Sequence, residues 1–121
     1  MEARNFAPFP RQVLMGGPIG TGSRSWYSKT SDVEGFKSIA WMFEVYATLP
    51  GAVTNPATLY LETCNDFNGP WVDLIPGGVN PNVATPSSGL VEDPGRYLRA
   101  RIEIFQNEMT MVAVRCVARG K

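Results

Sequence analysis

The segment Arg96-Tyr-Leu-Arg-Ala-Arg-Ile-Glu-Ile-Phe105 alternates with period two, and that period restricts the chain more than any other feature. Leu98, Ala100, Ile102 and Ile104 fall on one face; Tyr97, Arg99, Arg101 and Glu103 fall on the other. A helix would scatter this pattern around its axis, whereas a half-buried strand keeps it on one side. Gln106-Asn-Glu108 reads as a hairpin turn. Beyond it Thr110, Val112, Val114, Cys116 and Ala118 continue the inner face, opposite Met111, Ala113 and Arg115. Residues 36–48 repeat the pattern, with Ile39, Trp41, Phe43, Val45 and Ala47 opposite Ser38, Ala40, Met42, Glu44 and Tyr46. Their aromatic and β-branched content suits a pleated sheet.

Weaker signals fill the space between. Pro50-Gly51 turns the chain, and Leu59, Leu61 and Thr63 alternate with Thr58, Tyr60, Glu62 and Cys64. Asn65-Asp-Phe-Asn-Gly-Pro-Trp71 then reads as a tight turn into a short strand over 71–75, making a second hairpin. Pro76-Gly-Gly78 ends that strand. A weak strand is expected over 82–85, with Pro86-Ser-Ser-Gly89 and Asp93-Pro-Gly95 as loops. Seven or eight strands with turn signals about every 8–12 residues predict an all-β fold, an antiparallel, jelly-roll-like β-sandwich. The connections are too short for the crossover helices that parallel strands require.

Residues 1–35 read differently, as an N-terminal arm with short edge strands leading into a sandwich over 36–121. Phe6-Ala-Pro-Phe-Pro10 is held extended by its prolines, and Gly16-Gly-Pro-Ile-Gly-Thr-Gly22 opposes regular structure. The aromatics Phe6, Phe9, Trp26 and Tyr27 are unlike a disordered tail and mark an arm that packs on its own domain or on a neighbour. Removing residues 1–22 is expected to leave the sandwich folded.

A chain of 121 residues with 44% hydrophobic content supports one domain with a real core. Twelve glycines and ten prolines fit a turn-rich β protein. Formal net charge is zero, which argues against nucleic-acid binding, since phosphate neutralisation demands a basic excess. The charge is uneven: residues 35–95 hold one Lys and six acids, and residues 96–121 hold six basic groups and two acids. That asymmetry is either ordinary solvated surface or the mark of head-to-tail packing between subunits. No basic segment followed by an apolar core opens the sequence, and no apolar run approaches a membrane span, so synthesis in the cytoplasm is expected. Cys64 and Cys116 are expected buried and reduced.

Chemistry finds little footing. Histidine is absent, which removes the commonest general base and metal ligand, and with it His-based nucleophile dyads and triads. Glu62, Asp66 and Asp73 are the carboxylates near one hairpin, and Asn65, Asp66 and Asn68 could offer oxygens to calcium; a turn built by Asn and Asp is the favoured reading of both sets. No phosphate-cradling motif is present, so neither catalytic residue, metal nor cofactor is expected. The outward Tyr97, Arg99 and Arg101 suit an acidic partner, or else cross-strand ion pairs. Trp71 is either hairpin core or a platform for a sugar or a protein, with Asp66 and Asn68 beside it as a glycan-contact loop.

Asn65-Asp-Phe-Asn-Gly-Pro-Trp71 and Gly95-Arg-Tyr-Leu-Arg-Ala-Arg-Ile102 resemble two landmarks of discoidin-like, galactose-binding-type sandwiches. The same pair resembles small β-sandwich proteins of tailed-phage particles. The likeness covers residues 57–104; a Gly is displaced within the turn, and the arm has no counterpart. The discoidin-like resemblance implies a carbohydrate-binding module. The phage resemblance implies a virion structural protein made in the host cytoplasm: a capsid decoration or other accessory head or tail component, multi-copy or homo-oligomeric, with other virion proteins as partners. Phe6, Phe9, Trp26, Tyr27, Tyr97, Arg99 and Arg101 are then the candidate interface, with the arm crossing onto a neighbour.

Overall fold

The computed structural model describes residues 3–49 and 53–120, with residues 47–49 described as backbone alone. The turn read at Pro50-Gly51 and the facing read for Ala47 lie outside that description. Among the described residues there is no helix, and nine strands form two antiparallel sheets stacked as a sandwich. They are β1 (Ala3–Met15), β2 (Arg24–Tyr27), β3 (Ser31–Asp32), β4 (Ser38–Leu49), β5 (Ala57–Cys64), β6 (Val72–Asp73), β7 (Ser87–Glu92), β8 (Tyr97–Ile104) and β9 (Met109–Arg119). One sheet runs β1-β9-β4-β7; the other runs β2-β8-β5-β6, with β3 also on β8.

The alternation read from the sequence is the one that builds the core. Ile39, Trp41, Phe43 and Val45 of β4 and Val112, Val114, Cys116 and Ala118 of β9 meet Leu59, Leu61, Leu98, Ala100, Ile102 and Ile104 of the opposing sheet, all buried. Each fully buried Leu, Ile or Phe side chain contributes roughly 1.5–3 kcal/mol relative to exposure. Position 62 departs from the pattern: Glu62 points away from this core yet is 8% exposed, because arginines cover it.

Three local expectations change. Gln106-Asn-Glu108 turns the chain, with Asn107 at φ 60°, but β8 and β9 do not pair with each other. They enter different sheets, so the turn is an arch across the sandwich. Both strands carry an apolar row, and stacking the rows face to face buries them together, whereas edge-to-edge pairing would leave each needing another cover. Second, residues 82–85 form a turn, with Ala84 N donating to Val45 O at 2.7 Å. Third, residues 87–89, expected as loop, open strand β7. Gly89 sits opposite Trp41, and a Cβ on it would lie 2.7 Å from the indole Cζ2. The glycine that looked like a turn signal is a strand residue making room for a tryptophan.

The N-terminal segment packs on its own chain. β1 pairs with β9 along its length, with register shifts at Ala7-Pro8 and at Pro10-Arg11, and it buries Phe9 and Leu14 in the core. Gly16 then passes so close to the arch that a Cβ would fall 2.0 Å from Phe105 O; its N–H donates to Glu108 O at 2.8 Å. Gln106 Oε1 accepts from Gly20 N and Gly22 N at 2.8 and 3.1 Å, pinning the glycine loop. Trp26 Nε1 donates to Met15 O at 2.8 Å and ties β2 to the end of β1. Residues 3–22 are thus woven into the sandwich, and their removal is expected to destabilise it.

Both cysteines are free and buried. Burial pushes the Cys116 thiol up from 9.0 to about 12.

Two outcomes follow from this packing. Phe9→Ala should cost roughly 3–5 kcal/mol, and removal of residues 1–15 should abolish the cooperative transition in thermal and urea melts followed by circular dichroism. For Cys116 the native state keeps a proton that the unfolded chain surrenders above pH 9. The stability from this group is therefore complete below pH 9 and lost as pH rises from 9 towards 12. The urea midpoint should fall across that window, and Cys116→Ala should flatten the fall.

Candidate functional site

Strand β8 lies between β5 and β2, so its outward residues meet neighbours on both sides. The register sets Arg99 opposite Glu62 and Arg101 opposite Tyr60. Arg99 Nε donates to Glu62 Oε1 at 2.7 Å, and Arg101 Nε to Glu62 Oε2 at 3.2 Å, so one carboxylate holds two guanidinium groups. Arg101 also pairs with Glu103 and lies 4.0 Å from Asp73. Burial pulls the Arg101 pKa down, but Glu62 and Glu103 outweigh it and hold the group above its ordinary value.

Aromatic rings flank the same groups. The Arg99 guanidinium carbon lies 4.6 Å from the centre of Tyr27 and 4.2 Å from that of Trp71, and Arg101 lies 3.9 Å from Tyr60. Such contacts are worth about 0.5–1 kcal/mol each at exposed positions. Here they flank the same guanidinium groups that Glu62 holds. At one end of this face, Phe67 meets Tyr97 edge to face, with ring centres 5.4 Å apart. Arg96 lies 5.0 Å over Tyr97 and bridges to Asp32 and Glu34 at 3.6 and 3.4 Å. Tyr27, Phe67 and Val72 remain 55%, 60% and 61% exposed on or beside the ladder. The result is a stiff face of arginine and aromatic side chains with exposed hydrophobic groups at its margin. Preorganised groups of this kind favour protein docking, because little side-chain entropy is left to lose.

Of the residues singled out by sequence, Tyr27, Arg99, Arg101 and Trp71 come together here, with Tyr97 at the margin. Trp26 is half-buried, held by Met15 O and flanked by Arg24 at 4.3 Å. Phe9 is core, and Phe6 lies on the opposite sheet with Arg4 at 5.4 Å. Asp66 Oδ1 accepts from Asn68 N at 3.1 Å, and Asn65 Oδ1 from Arg96 N at 3.2 Å; these bonds hold the turn. Among the described residues no group of three His, Cys, Asp or Glu side chains is placed to hold a metal ion. Sequence reasoning missed Tyr60, Phe67 and Val72, and it weighed Glu62 only as a candidate acid. The β5–β8 register was the signal that would have found Glu62 and Tyr60.

A scan against protein-family models finds no match, and a search of curated proteins finds none. Among solved structures the chain is similar to PBSX exported protein XepA, with a TM-score of 0.64 and 16% identity over 98% of this chain and 38% of that one. It therefore spans well under two thirds of that protein's length. A structure of infectious bursal disease virus, strain Gx, is similar at a TM-score of 0.49 and 8% identity, over 99% of this chain and 32% of that one. The K2 cleaved adhesin domain of Lys-gingipain is similar at 0.45 and 9%, over 77% and 62%. The likeness to XepA establishes a shared sandwich fold.

If Glu62 is the clasp of the ladder, Glu62→Gln should destabilise the protein by about 2 kcal/mol, since two partly buried guanidinium groups lose a charged acceptor. Urea titration measures the loss. Trp71 fluorescence should change in the native baseline as Arg99 is released from the indole.

Proposed function

We propose that this chain is a structural component of a phage particle, an accessory head or tail protein such as a capsid decoration, acting by docking and not by catalysis. The observation that carries the reading is the sandwich shared with PBSX exported protein XepA over 98% of the chain, a fold that matches the phage-particle resemblance in the sequence. The arginine–aromatic face supplies a mechanism. It is rigid before contact, its charges are already paired within the chain, and its exposed Tyr27, Phe67 and Val72 give up water to a neighbouring subunit. Partners are then other virion proteins, and the working location is the particle. Trp71 gives one ring face to Arg99, and Asp66 spends Oδ1 on the Asn68 N–H, which favours protein contact over sugar stacking as their use.

Particles assembled without this chain and then mixed with the purified protein test the reading. The protein should co-sediment to a saturating, fixed copy number. Replacing both Tyr27 and Arg99 by Ala should weaken binding about tenfold or more, as truncated interface anchors do. Failure of the wild-type protein to co-sediment at any concentration would remove the virion role.

A further inference from the structure

The strands at the ends of the two sheets are not alike. β2, β3 and β6 are short, at four, two and two residues, and β1 carries Pro8 and Pro10, which have no N–H to give. β7 is the longest end strand without a proline, at six residues. The register fixes which of its backbone groups are committed. Asp93 N donates to Lys37 O at 2.8 Å, and Ala84 N to Val45 O at 2.7 Å, so the odd-numbered residues between Lys37 and Val45 turn their backbone groups towards β7. Ile39–Val91, Trp41–Gly89 and Phe43–Ser87 are therefore the pairs that exchange hydrogen bonds. Ser88, Leu90 and Glu92 alternate with them, so their N–H and C=O groups point away from the sheet. Among the described residues no hydrogen-bond partner meets these groups. All three residues are exposed, Leu90 by 54%.

This edge is complementary to itself. A two-fold axis normal to the sheet at Leu90 sets Leu90 opposite Leu90 of a second copy, and Ser88 opposite its Glu92. Such an axis keeps outward side chains outward, as strand pairing requires. Every donor on the edge then finds an acceptor. The two Leu90 residues exchange both their bonds, and each Ser88 does the same with the facing Glu92. No like charges stand opposite one another, and each Glu92 carboxylate lies beside a Ser88 hydroxyl. On the core side Val91 falls opposite Gly89, so no bulky pair collides. Pro86 and Pro94 each lie four residues from Leu90, and the same axis brings proline against proline, ending the ladder at both limits.

We infer that β7 docks a second copy of this chain, pairing antiparallel with its β7 about Leu90 to make one continuous sheet. The sheet closes at two copies, because each outer end is then the proline-bearing β1. The seam is narrow, a strand addition in the weak class of interfaces, and forms at high local concentration. The arginine–aromatic face lies on the other sheet and takes no part, so the inference stands whether or not the particle role does.

Amide exchange followed by NMR, with sedimentation of the full chain from micromolar to millimolar concentration, tests it. The Gly89 and Val91 amides should be protected throughout. Those of Ser88, Leu90 and Glu92 should exchange fast when dilute and slow several-fold as the mass shifts from 13.3 kDa towards twice that value. Two exposed substitutions read the register. Ser88→Lys sets an ammonium opposite each Glu92 and should tighten the dimer several-fold, whereas Ser88→Glu opposes carboxylates and should weaken it as much. Leu90→Pro removes a donor that the isolated chain leaves unused, and should keep the circular-dichroism spectrum while holding the protein at the single mass. A wild type that stays monomeric at millimolar concentration overturns the inference. So does a dimer to which the two Ser88 variants make no difference, or one whose Ser88, Leu90 and Glu92 amides exchange at the dilute rate. Protection of those amides only when assembled particles are added assigns the edge to a foreign strand and overturns it equally.

Discussion

The stacking of two apolar rows, Leu98 to Ile104 against Val112 to Ala118, is the interaction on which the rest of the molecule depends. The two strands that carry them are consecutive in sequence and central in their sheets: β8 receives β2, β3 and β5, and β9 receives β1 and β4. Only four residues separate them, so the arch at Phe105–Glu108 sets the spacing between the sheets at that end. Gly16 packs against this arch, Phe105 N donates to Pro56 O at 2.8 Å, and Val53 N donates to Glu108 Oε1 at 3.0 Å. Distant parts of the chain are thus referenced to one turn.

The two outer faces of the sandwich differ in character. On one, arginines are neutralised within the chain and braced by rings, so shape and rigidity are fixed before anything binds. On the other, a polar band of Arg11, Tyr46, Glu44 and Arg115 interrupts small apolar and methionine side chains. A paired charge carries less desolvation cost into an interface than a bare one, and methionine tolerates imperfect fit.

Legibility in the sequence followed the physics of alternation. The inward sets of β4, β5, β8 and β9 were readable because one face of each strand is apolar, and side-chain direction has a strict period of two. The β5–β6 hairpin was readable from its Asn, Asp and Gly residues. What failed were features set by partners remote in sequence. The glycine of β7 meant a strand only because Trp41 lies above it. The arch looked like a hairpin because a turn does not announce which sheet its second strand will join. The N-terminal segment looked detachable because its prolines break a local pattern, yet both register shifts fall at those prolines and let pairing resume on either side. The candidate site was half legible: Arg99, Arg101, Tyr27 and Trp71 were singled out, while Glu62 and Tyr60 required the register.

The prolines of β1 have a wider consequence. A sandwich that ends on a long strand offers its rim as a template for endless lateral growth, which is how many β proteins turn into fibres. Pro8 and Pro10 lack the N–H groups that an incoming chain would need, and the kinks beside them spoil the straight line it would have to follow. Growth of a ribbon along this edge is thereby disfavoured.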